Sequence, residues 1–546
     1  MASEEAKLEL FLQWLKINGA ELRGCRIKYC NSSKGFGIFS SNDVPDGIFL
    51  VIPLDLAITP MKVLEDPLIG PACRSMFEEG EVDDRFLMML FLTVERLRKN
   101  STWKPYLDML PTEFGSTLWF TDDDLLELKG TTLHRATELL KKSLKTLFDE
   151  KVKKLAEKLL VLAGNPESEV RFEDFLWANS IFWTRALNIP FPSSYVFRTG
   201  SSNAPGASTN STEKLANGEN GKSPEMNKSS QVSGSESTSR GDTIWVEGLV
   251  PGIDFCNHDL KAAATWEIDG SGSLTGTPFS MYLLSAGIIP FQGEKEISIS
   301  YGAKGNEELL FLYGFVIKDN SDDYLMLHYP VEAISDMPFS EGKLLLLEEQ
   351  KGELRCLLPR SLLNNGFFPE STSPRGTNSN NRGFDYTCSG HRKPPSYADK
   401  LVFPEKLLTA LRTVTMTETQ LHQVYSSLEK LVGSGVERRP SESEVRAAVW
   451  EACGNSGALQ LIVDLLYMKM TELEEGSGTE AHDAELLKKA DVVGAERDTR
   501  CSSNGSVPMS RNAWASVVYR RGQKELTRRF LREAEHALQL ALREES

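Results

Sequence analysis

Apolar residues recur along the chain with two different spacings, which separate strand-like from helical stretches. Short apolar runs typical of strands occur at residues 26–29, 48–52, 244–250, 281–284 and 297–301. Helical spacing recurs over residues 83–99, 121–163, 441–453, 458–473 and 523–542. Thr121 and Asp124 fit a capping box at the start of the long second helical stretch. The pattern predicts an α+β fold, in which a β-rich part is split by a helical insert and followed by a mainly helical region.

Three stretches interrupt this pattern. Residues 200–240 consist almost wholly of Ser, Asn, Gly, Lys and Glu, a composition that buries too little apolar area to offset the entropy of ordering. We expect a mobile surface insertion there. Residues 369–395 and 476–510 have a similar but more charged composition, which predicts long loops.

The composition is that of an ordinary globular protein of 546 residues, 40% hydrophobic and 25% charged. Acidic residues outnumber basic ones by 77 to 61, a net charge of −16, which argues against a main role in binding nucleic-acid phosphates. No apolar run approaches the roughly 20 residues of a membrane span, and the start of the chain is acidic, unlike a signal or transit peptide. We therefore expect a cytoplasmic or nuclear protein that binds neither membranes nor nucleic acid.

Two segments have both a structural and a ligand-binding interpretation. Residues 34–39 read KGFGIF, in which glycines at alternate positions make a turn flanked by the predicted strands 26–29 and 48–52, or let the backbone approach a ligand closely. Residues 177–188 read WANSIFWTRALN, an apolar helix with one arginine, Arg185. A lone arginine on such a helix usually extends to water, but it can also pair with a ligand carboxylate.

A third segment, residues 249–258, follows a predicted strand and reads LVPGIDFCNH. Pro-Gly predicts a turn, after which Asp254, Asn257 and His258 place polar side chains in apolar sequence. Buried polar groups need partners, so these side chains serve either an Asx turn or a ligand. No metal site is expected, because the segment has one histidine and the eight cysteines of the chain form no zinc signature.

A fourth segment, residues 294–315, reads EKEISISYGAKGNEELLFLYGF. A period of two places Ile297, Ile299 and Tyr301 on one face of a strand, with Tyr301 at its end before a glycine. Tyr313 is likewise followed by Gly and Phe. Taken singly, tyrosines in such settings are mostly core aromatics whose hydroxyl is bonded at the edge of the core.

Taken in order, the four segments resemble those of SET-domain protein methyltransferases, in particular the group that includes plant Rubisco large-subunit lysine methyltransferases. The shared features are a GxG turn, an (S/T)RA segment, a DxxNH segment after a strand, and SYG followed by NxELxxxYGF. Residues 519–524, YRRGQK, are similar to the YRxGEK segment near the end of that group's C-terminal domain. The chain lacks the cysteine-rich zinc segment of histone-modifying SET proteins, as that group also does, and has Thr184 where Ser is frequent.

The resemblance implies a domain organisation. Residues 1–60 and 241–321 would form the SET core, with a helical insertion over residues 61–240 between them. Residues 322–546 would form a helical C-terminal domain that binds the substrate protein.

The resemblance also implies a site for S-adenosylmethionine, beside a narrow channel for the acceptor side chain. Tyr301 would be the catalytic tyrosine, and Tyr313 would belong to the aromatic wall of the channel. The backbone of Lys34 and Phe36 would contact the cofactor at the glycine turn, and Arg185 would pair with its carboxylate. Asn257 and His258 would hold its amino group and adenine, and Asp254 would support the turn that carries them.

The resulting hypothesis is an S-adenosylmethionine-dependent protein-lysine N-methyltransferase that acts, as a monomer, on a non-histone protein. The physical requirement is alignment, because methyl transfer to an amine is an in-line displacement without proton abstraction in the transition state. Two alternatives stay open. One is histidine methylation, since relatives of this architecture accept either side chain, and the other is a SET-fold protein that binds a partner without catalysis.

Overall fold

The computed structural model describes eight stretches of the chain: residues 2–31, 34–41, 46–196, 243–287, 294–369, 394–432, 438–492 and 507–545. The insertion predicted at residues 200–240 lies outside these stretches, as does most of the loop predicted at residues 369–395. No helix in the described stretches is long and apolar enough to cross a membrane.

The strands are short and come from separate parts of the sequence. In chain order they are β1 Glu21–Leu22, β2 Cys25–Asn31, β3 Gly35–Ser40, β4 Ile48–Pro53, β5 Leu187–Pro192, β6 Thr243–Gly248, β7 Ala264–Asp269, β8 Ser280–Ser285, β9 Glu296–Ile297, β10 Tyr324–His328, β11 Arg355–Pro359, β12 Ala490–Val492 and β13 Val507–Met509.

The strands before the helical insert pair with strands that follow it. An antiparallel sheet has the order β1-β4-β8-β7, and a second has the order β2-β3-β9. Strands β5 and β6 form an antiparallel hairpin, β10 pairs with β11, and β12 lies parallel to β13. The buried central strand β4 has the continuous apolar sequence IFLVIP, as expected for a strand covered on both faces.

Helices make up most of the remaining structure. They are α1 Ala2–Ile17, α2 Pro60–Leu64, α3 Gly70–Glu78, α4 Asp84–Leu97, α5 Lys104–Leu107, α6 Asp122–Leu126, α7 Thr132–Leu147, α8 Lys153–Leu162, α9 Phe172–Arg185, α10 Ser193–Val196, α11 Asn306–Glu308, α12 Glu332–Ser335, α13 Ser340–Glu349, α14 Glu405–Thr415, α15 Glu418–Val432, α16 Glu442–Ala452, α17 Ser456–Glu475, α18 Glu480–Lys489 and α19 Arg511–Glu545.

Two large hydrophobic clusters organise these elements. The first joins both sheets of the N-terminal half to α4 and α9, and Leu50, Leu90, Phe175 and Leu283 are completely buried in it or nearly so. The second joins β10 and β11 to α14, α17 and α19. The first cluster therefore fixes α9, and with it Arg185, against the β-rich part.

The glycine segment differs from its prediction. Residues 26–29 and 48–52 were expected to flank a glycine turn, but both Gly35 and Gly37 lie in strand β3, which is the hairpin partner of β2. Strand β4 pairs instead with β1 and β8 in the other sheet. Glycine is needed at position 37 because a Cβ there would lie 2.7 Å from the Sγ of Cys30.

Helix boundaries differ from their predictions at several places. The stretch 121–163 divides into α6, α7 and α8, although its capping box at Thr121 and Asp124 is present. Helix α19 begins at Arg511, twelve residues before the predicted start at 523, and α18 lies within the predicted loop 476–510. Helix α18 is joined to α19 by paired charged side chains, which a search for apolar spacing does not detect.

Candidate active site

A cavity of about 730 Å³ lies where β3, the end of α9 and the segments 254–258 and 301–315 meet. This size is in the range of about 300–1,000 Å³ usual for small-molecule sites. All of the predicted site residues line it: Lys34, Phe36, Arg185, Asp254, Asn257, His258, Tyr301 and Tyr313. Segments far apart in sequence thus come together around one space.

On one side of the cavity, a polar network joins β3 to the segment after β6. The Lys34 ammonium donates to Glu296 over 2.7 Å, and the Asn257 amide donates to the other oxygen of the same carboxylate, also over 2.7 Å. Burial lowers the pKa of Lys34, but the hydrogen bond and the charge of Glu296 outweigh it, so that the net shift is upward. Since its N–H group is bonded to Glu296, Asn257 retains its carbonyl oxygen as an acceptor for another partner.

Arg185 is the last residue of α9, so the predicted helix over residues 177–188 ends earlier than expected, at the start of a hairpin strand. Its guanidinium donates to the backbone oxygen of Asp254 over 2.8 Å and lies 3.7 Å from the carboxylate of that residue. It also lies over the ring of Phe255. The side chain does not extend to water, because only 14% of it is exposed.

Asp254 supports the turn that holds the neighbouring site residues. Its carboxylate accepts hydrogen bonds from the backbone N–H of Gly252, over 3.0 Å, and from the hydroxyl of buried Tyr106, over 2.5 Å. Gly252 has a φ of +98°, which favours glycine. Burial raises the pKa of Asp254 to about 6, although Arg185, Tyr106 and the Gly252 N–H all favour the charged form.

His258 is fixed by the segment that carries Tyr301. Its Nδ1 accepts a hydrogen bond of 3.0 Å from the backbone N–H of Tyr301, and burial lowers the pKa of the imidazole. The ring is therefore neutral near pH 7, with its proton on Nε2. This buried Nε2 and the buried Nε of Arg185 have no hydrogen-bond acceptor among the residues that the structure describes.

Tyr301 is partly buried with its hydroxyl inside the site. The hydroxyl donates to the backbone oxygen of Cys256 over 2.8 Å, which leaves the phenolic oxygen free to accept a hydrogen bond. Burial raises the pKa of Tyr301, so the hydroxyl stays protonated. The predicted strand over residues 297–301 is shorter than expected, but Ile297, Ile299 and Tyr301 do pack on the same core.

Aromatic rings pack around the ring of Tyr301. The ring centroids of Tyr301 and Tyr313 are 5.0 Å apart, and Phe315 lies 6.0 Å from His258. Residues Leu309–Tyr313 form a π-helical turn that ends at Gly314, whose φ is +77°. Such turns are frequent at functional sites, and this one directs the Tyr313 ring toward Tyr301.

Several residues that line the cavity, or that hold its lining side chains, were absent from the predicted site. Phe315 lines the cavity and Glu296 binds Lys34 and Asn257; both lie inside the segment 294–315, whose sequence carried no signal of their role. Arg511, which lines the cavity, and Tyr106, which binds Asp254, lie outside every recognised segment, and no pattern in the sequence points to them. Within the part of the chain that the structure describes, no cluster of three or more His, Cys, Asp or Glu side chains could hold a metal ion.

The chain is similar to solved SET-domain structures over nearly its whole length. The SET domain of LSMT bound to lysine and AdoHcy matches with a TM-score of 0.61 at 18% identity, covering 98% of this chain and 92% of that one. Rubisco LSMT bound to AdoMet matches with a TM-score of 0.58 at 18% identity, covering 97% and 92%. The protein therefore has the SET-domain fold of LSMT, and the predicted α+β class is confirmed.

Sequence relatives include methyltransferases of two kinds. The chloroplastic fructose-bisphosphate aldolase-lysine N-methyltransferase of Arabidopsis thaliana is 31% identical over 179 residues, which is 33% of this chain and 35% of the relative. Ribosomal lysine N-methyltransferase set10 of Schizosaccharomyces pombe is 25% identical over 329 residues, 59% and 47% of the two chains. Actin-histidine N-methyltransferase of Canis lupus familiaris is 25% identical over 324 residues, 57% and 43%.

The chain thus spans between 35% and 47% of the length of these relatives. No family model matches the sequence. The predicted resemblance to SET-domain methyltransferases of the Rubisco large-subunit group is confirmed by the relatives and the solved structures together.

Proposed function

We propose that this protein is an S-adenosylmethionine-dependent protein-lysine N-methyltransferase that acts on a non-histone protein. The observation that carries the proposal is one cavity in which Arg185, Asn257 and His258 lie beside Tyr301, whose ring packs against that of Tyr313. Relatives that are lysine methyltransferases support the reaction, and solved structures with AdoMet and AdoHcy support the cofactor.

The residues at the polar end of the cavity fit the proposed cofactor. Arg185 suits its carboxylate, the free carbonyl oxygen of Asn257 suits its ammonium group, and the protonated Nε2 of His258 suits an acceptor nitrogen of adenine. Lys34, just before β3, and Phe36 within it border the same space. When bound, S-adenosylmethionine supplies a methyl group on a positively charged sulfonium.

Tyr301 orients the acceptor nitrogen and does not remove its proton. The Cys256 carbonyl holds the hydroxyl hydrogen, so the phenolic oxygen can accept a hydrogen bond from an amine and fix the direction of its lone pair. The raised pKa keeps Tyr301 protonated, which excludes it as a strong base near neutral pH. A lysine amine loses its proton on entering apolar surroundings, because burial disfavours the charged ammonium.

The aromatic wall favours lysine over histidine as the acceptor. The rings of Tyr301, Tyr313 and Phe315 offer an apolar surface to the long alkyl stem of lysine. Histidine remains the alternative acceptor, because one group of relatives methylates a histidine of actin. Three further points stay predictions: recruitment of the substrate by the C-terminal helical region, a monomeric state, and a cytoplasmic or nuclear location. The aldolase-lysine N-methyltransferase among the relatives is named chloroplastic.

Calorimetric titration with S-adenosylmethionine tests the cofactor site. Arg185→Ala should weaken binding by about 30- to 150-fold, because losing a charge-assisted hydrogen bond costs about 2–3 kcal/mol. Arg185→Lys keeps a positive charge beside Asp254, which protects the fold, but it lacks the planar fork of arginine. It should therefore weaken binding by a smaller factor without loss of folding.

Arg85→Ala is the matched control for these variants. Arg85 pairs with Glu247 and lies over the ring of Trp183, so it has the same types of partner outside the cavity. Its loss should leave affinity unchanged. If Arg185→Ala binds the cofactor as tightly as the control, or if the native protein binds no cofactor, the proposed function is wrong and the alternative of a non-catalytic SET-fold binding protein is favoured.

A further inference from the structure

The aromatic wall of the acceptor side belongs to one short segment, residues 306–315, called here the wall segment. It consists of α11 and the π-helical turn Leu309–Tyr313, and it carries Tyr313 and Phe315 into the cavity. Most of this segment consists of a three-residue helix followed by a single π-helical turn. Elements this short form few backbone hydrogen bonds of their own. Its position therefore depends on what packs against it.

Helix α19 holds the beginning of the wall segment. The carboxylate of Glu307 accepts a hydrogen bond of 2.6 Å from the hydroxyl of Tyr519 and another of 2.6 Å from the hydroxyl of Thr132. Tyr519 is completely buried, and burial together with the charge of Glu307 raises the pKa of its hydroxyl, which remains a donor. A buried hydrogen bond to a charged acceptor is among the stronger ones in proteins.

The same helix also contacts the end of the wall segment. The guanidinium of Arg511 donates to the backbone oxygen of Gly314 over 3.3 Å. Gly314 crosses the backbone of residues 115 and 116 so closely that a Cβ on it would lie 2.5 Å from the nitrogen of Ser116. The end of the segment thus fits between a loop of the helical insert and the first residue of α19.

An apolar cluster fills the space between these two contacts. Leu310 of the wall segment is completely buried against Ala515 and Tyr519 of α19, with Phe311 and Trp514 at the edge. The cluster also contains side chains of the helical insert, namely Phe120, Leu125, Leu128 and Leu133. Helix α19 therefore contacts the wall segment at three points, namely Glu307, Leu310 and Gly314.

Helix α19 is itself anchored at this point by buried charges. Arg520 donates to Asp483 of α18 over 2.9 Å and to the backbone oxygen of Glu127 over 3.0 Å. Lys524 donates to the second oxygen of Asp483 over 2.6 Å, and neither Lys524 nor Asp483 is exposed. The YRRGQK segment thus faces the interior, where a bound protein cannot reach Tyr519 or Lys524.

We propose that the first three turns of α19 position the aromatic wall of the acceptor channel, with Tyr519 and Arg511 as positioning residues. The C-terminal helical region then contributes to methyl transfer itself, in addition to any role in recruitment. The inference rests on the proposed function in one respect, namely that the wall borders an acceptor. The contacts that carry it are independent of the reaction.

Hydrogen–deuterium exchange of the full chain tests the contact without using activity. Tyr519→Phe removes only the hydroxyl that donates a hydrogen bond to Glu307. Without this bond, the backbone amides of the wall segment should exchange about ten-fold faster or more. Binding of S-adenosylhomocysteine, measured by calorimetry, should change by less than about two-fold. Transfer of labelled methyl groups from S-adenosylmethionine to proteins of a cell extract should fall by about ten-fold.

Tyr467→Phe is the matched control. Tyr467 lies on α17 and donates to Glu535 over the same 2.6 Å, but on the exposed surface and outside the wall segment. This variant should leave exchange, cofactor affinity and transfer unchanged. Arg511→Met is a second test variant, which removes the donor to Gly314 and should speed exchange near Tyr313 in the same way.

The possible outcomes separate the two proposals. Faster exchange in both test variants without methyl transfer by the native protein would support the positioning role and contradict the proposed function. Unchanged exchange of the wall segment in the test variants would overturn the positioning role, as would equal acceleration in the Tyr467→Phe control. A loss of transfer that is matched by an equal loss of cofactor affinity would also overturn it, since the wall would then have no separate effect on the acceptor.

Discussion

Asp254 shows how one buried carboxylate organises several parts of the site. Tyr106 of α5, Arg185 at the end of α9 and the Gly252 turn all meet at this one side chain. A carboxylate with no exposed surface is stable only because it has these partners. The residue thus acts on the cofactor side of the cavity by fixing Arg185 and the turn that carries His258.

The raised pKa of Asp254 predicts a specific pH dependence of stability. Its folded-state pKa of about 6 exceeds the ordinary value of 3.8, so the folded state binds the proton more tightly. The stabilisation from this group is therefore complete below about pH 4 and is lost as the pH rises through 6. The loss is on the order of 3 kcal/mol, because one pKa unit corresponds to about 1.4 kcal/mol.

The side chain of Asp254→Asn does not titrate, so a comparison of this variant with the native protein isolates the contribution of Asp254. The melting temperature of the variant, relative to that of the native protein, should rise between pH 4 and pH 7.5, as measured by differential scanning fluorimetry. A difference that stays constant over this range would show that Asp254 keeps its ordinary pKa in the folded protein.

Substitution of Gly37 tests the close packing around Asn257, on the other side of the cavity. A Cβ at this position would lie 2.7 Å from the Sγ of Cys30 and 3.3 Å from the amide nitrogen of Asn257. Gly37→Ala should therefore displace Asn257 and weaken binding of S-adenosylmethionine by about 5- to 30-fold, a cost of about 1–2 kcal/mol. Gly270→Ala is the control in the same titration, because a Cβ there meets no atom within 4 Å. Equal affinities of the two variants would contradict the predicted role of Asn257.

At the scale of elements, the hairpin β5–β6 explains how the chain can carry a long polar stretch beside the site. Residue Pro192 of β5 pairs with Thr243 of β6, so the chain leaves and returns at neighbouring positions. The strand ends are held by their own pairing and by contact of α10 with both strands. The hairpin geometry therefore does not depend on the length of the connection.

Deletion of residues 200–240, with a short linker in their place, tests this independence. The melting temperature and the affinity for S-adenosylmethionine should stay nearly unchanged, with a gain in stability of no more than about 1–2 kcal/mol from the shorter loop. A variant with the same residues in scrambled order controls for length. A large fall in melting temperature in the deletion variant, or in the scrambled one, would show that the sequence of this stretch matters to the fold.

Elements with apolar periodicity could be predicted, whereas those that pack through charge could not. Strands β2, β4 and β8 and helices α4, α16 and α17 agree with the predicted runs to within a few residues. Helix α18 was missed because its buried contact is the charged side chain of Asp483, which binds Arg520 and Lys524 of α19. A charged residue in a sequence predicts exposure unless its partner is known.

At the scale of the whole molecule, the site residues could be predicted because short sequence segments carry them. The partners that hold these residues in place could not be predicted. Each of the predicted residues lies at the cavity because the four segments converge there. Their long-range partners lie elsewhere, since Tyr106 is 148 residues from Asp254 and Tyr519 is 212 residues from Glu307. Such pairings depend on how the helical insert and α19 close around the β-rich part, which no single segment encodes.

The most direct test of the central claim compares the native protein, Tyr301→Phe and Tyr425→Phe as purified chains with labelled S-adenosylmethionine and a cell extract. Tyr425 is the control because its hydroxyl also donates to a backbone oxygen, that of Gly342, at a distance from the cavity. Mass spectrometry of the labelled peptide identifies the acceptor as lysine or histidine.

We expect the native protein and Tyr425→Phe to label a lysine at similar rates. Tyr301→Phe should bind the cofactor normally, but its rate of methyl transfer should fall by about 100-fold or more, because only the orienting hydroxyl is lost. Equal rates for Tyr301→Phe and the native protein, or no labelled protein when calorimetry shows bound cofactor, would contradict the proposed methyltransferase.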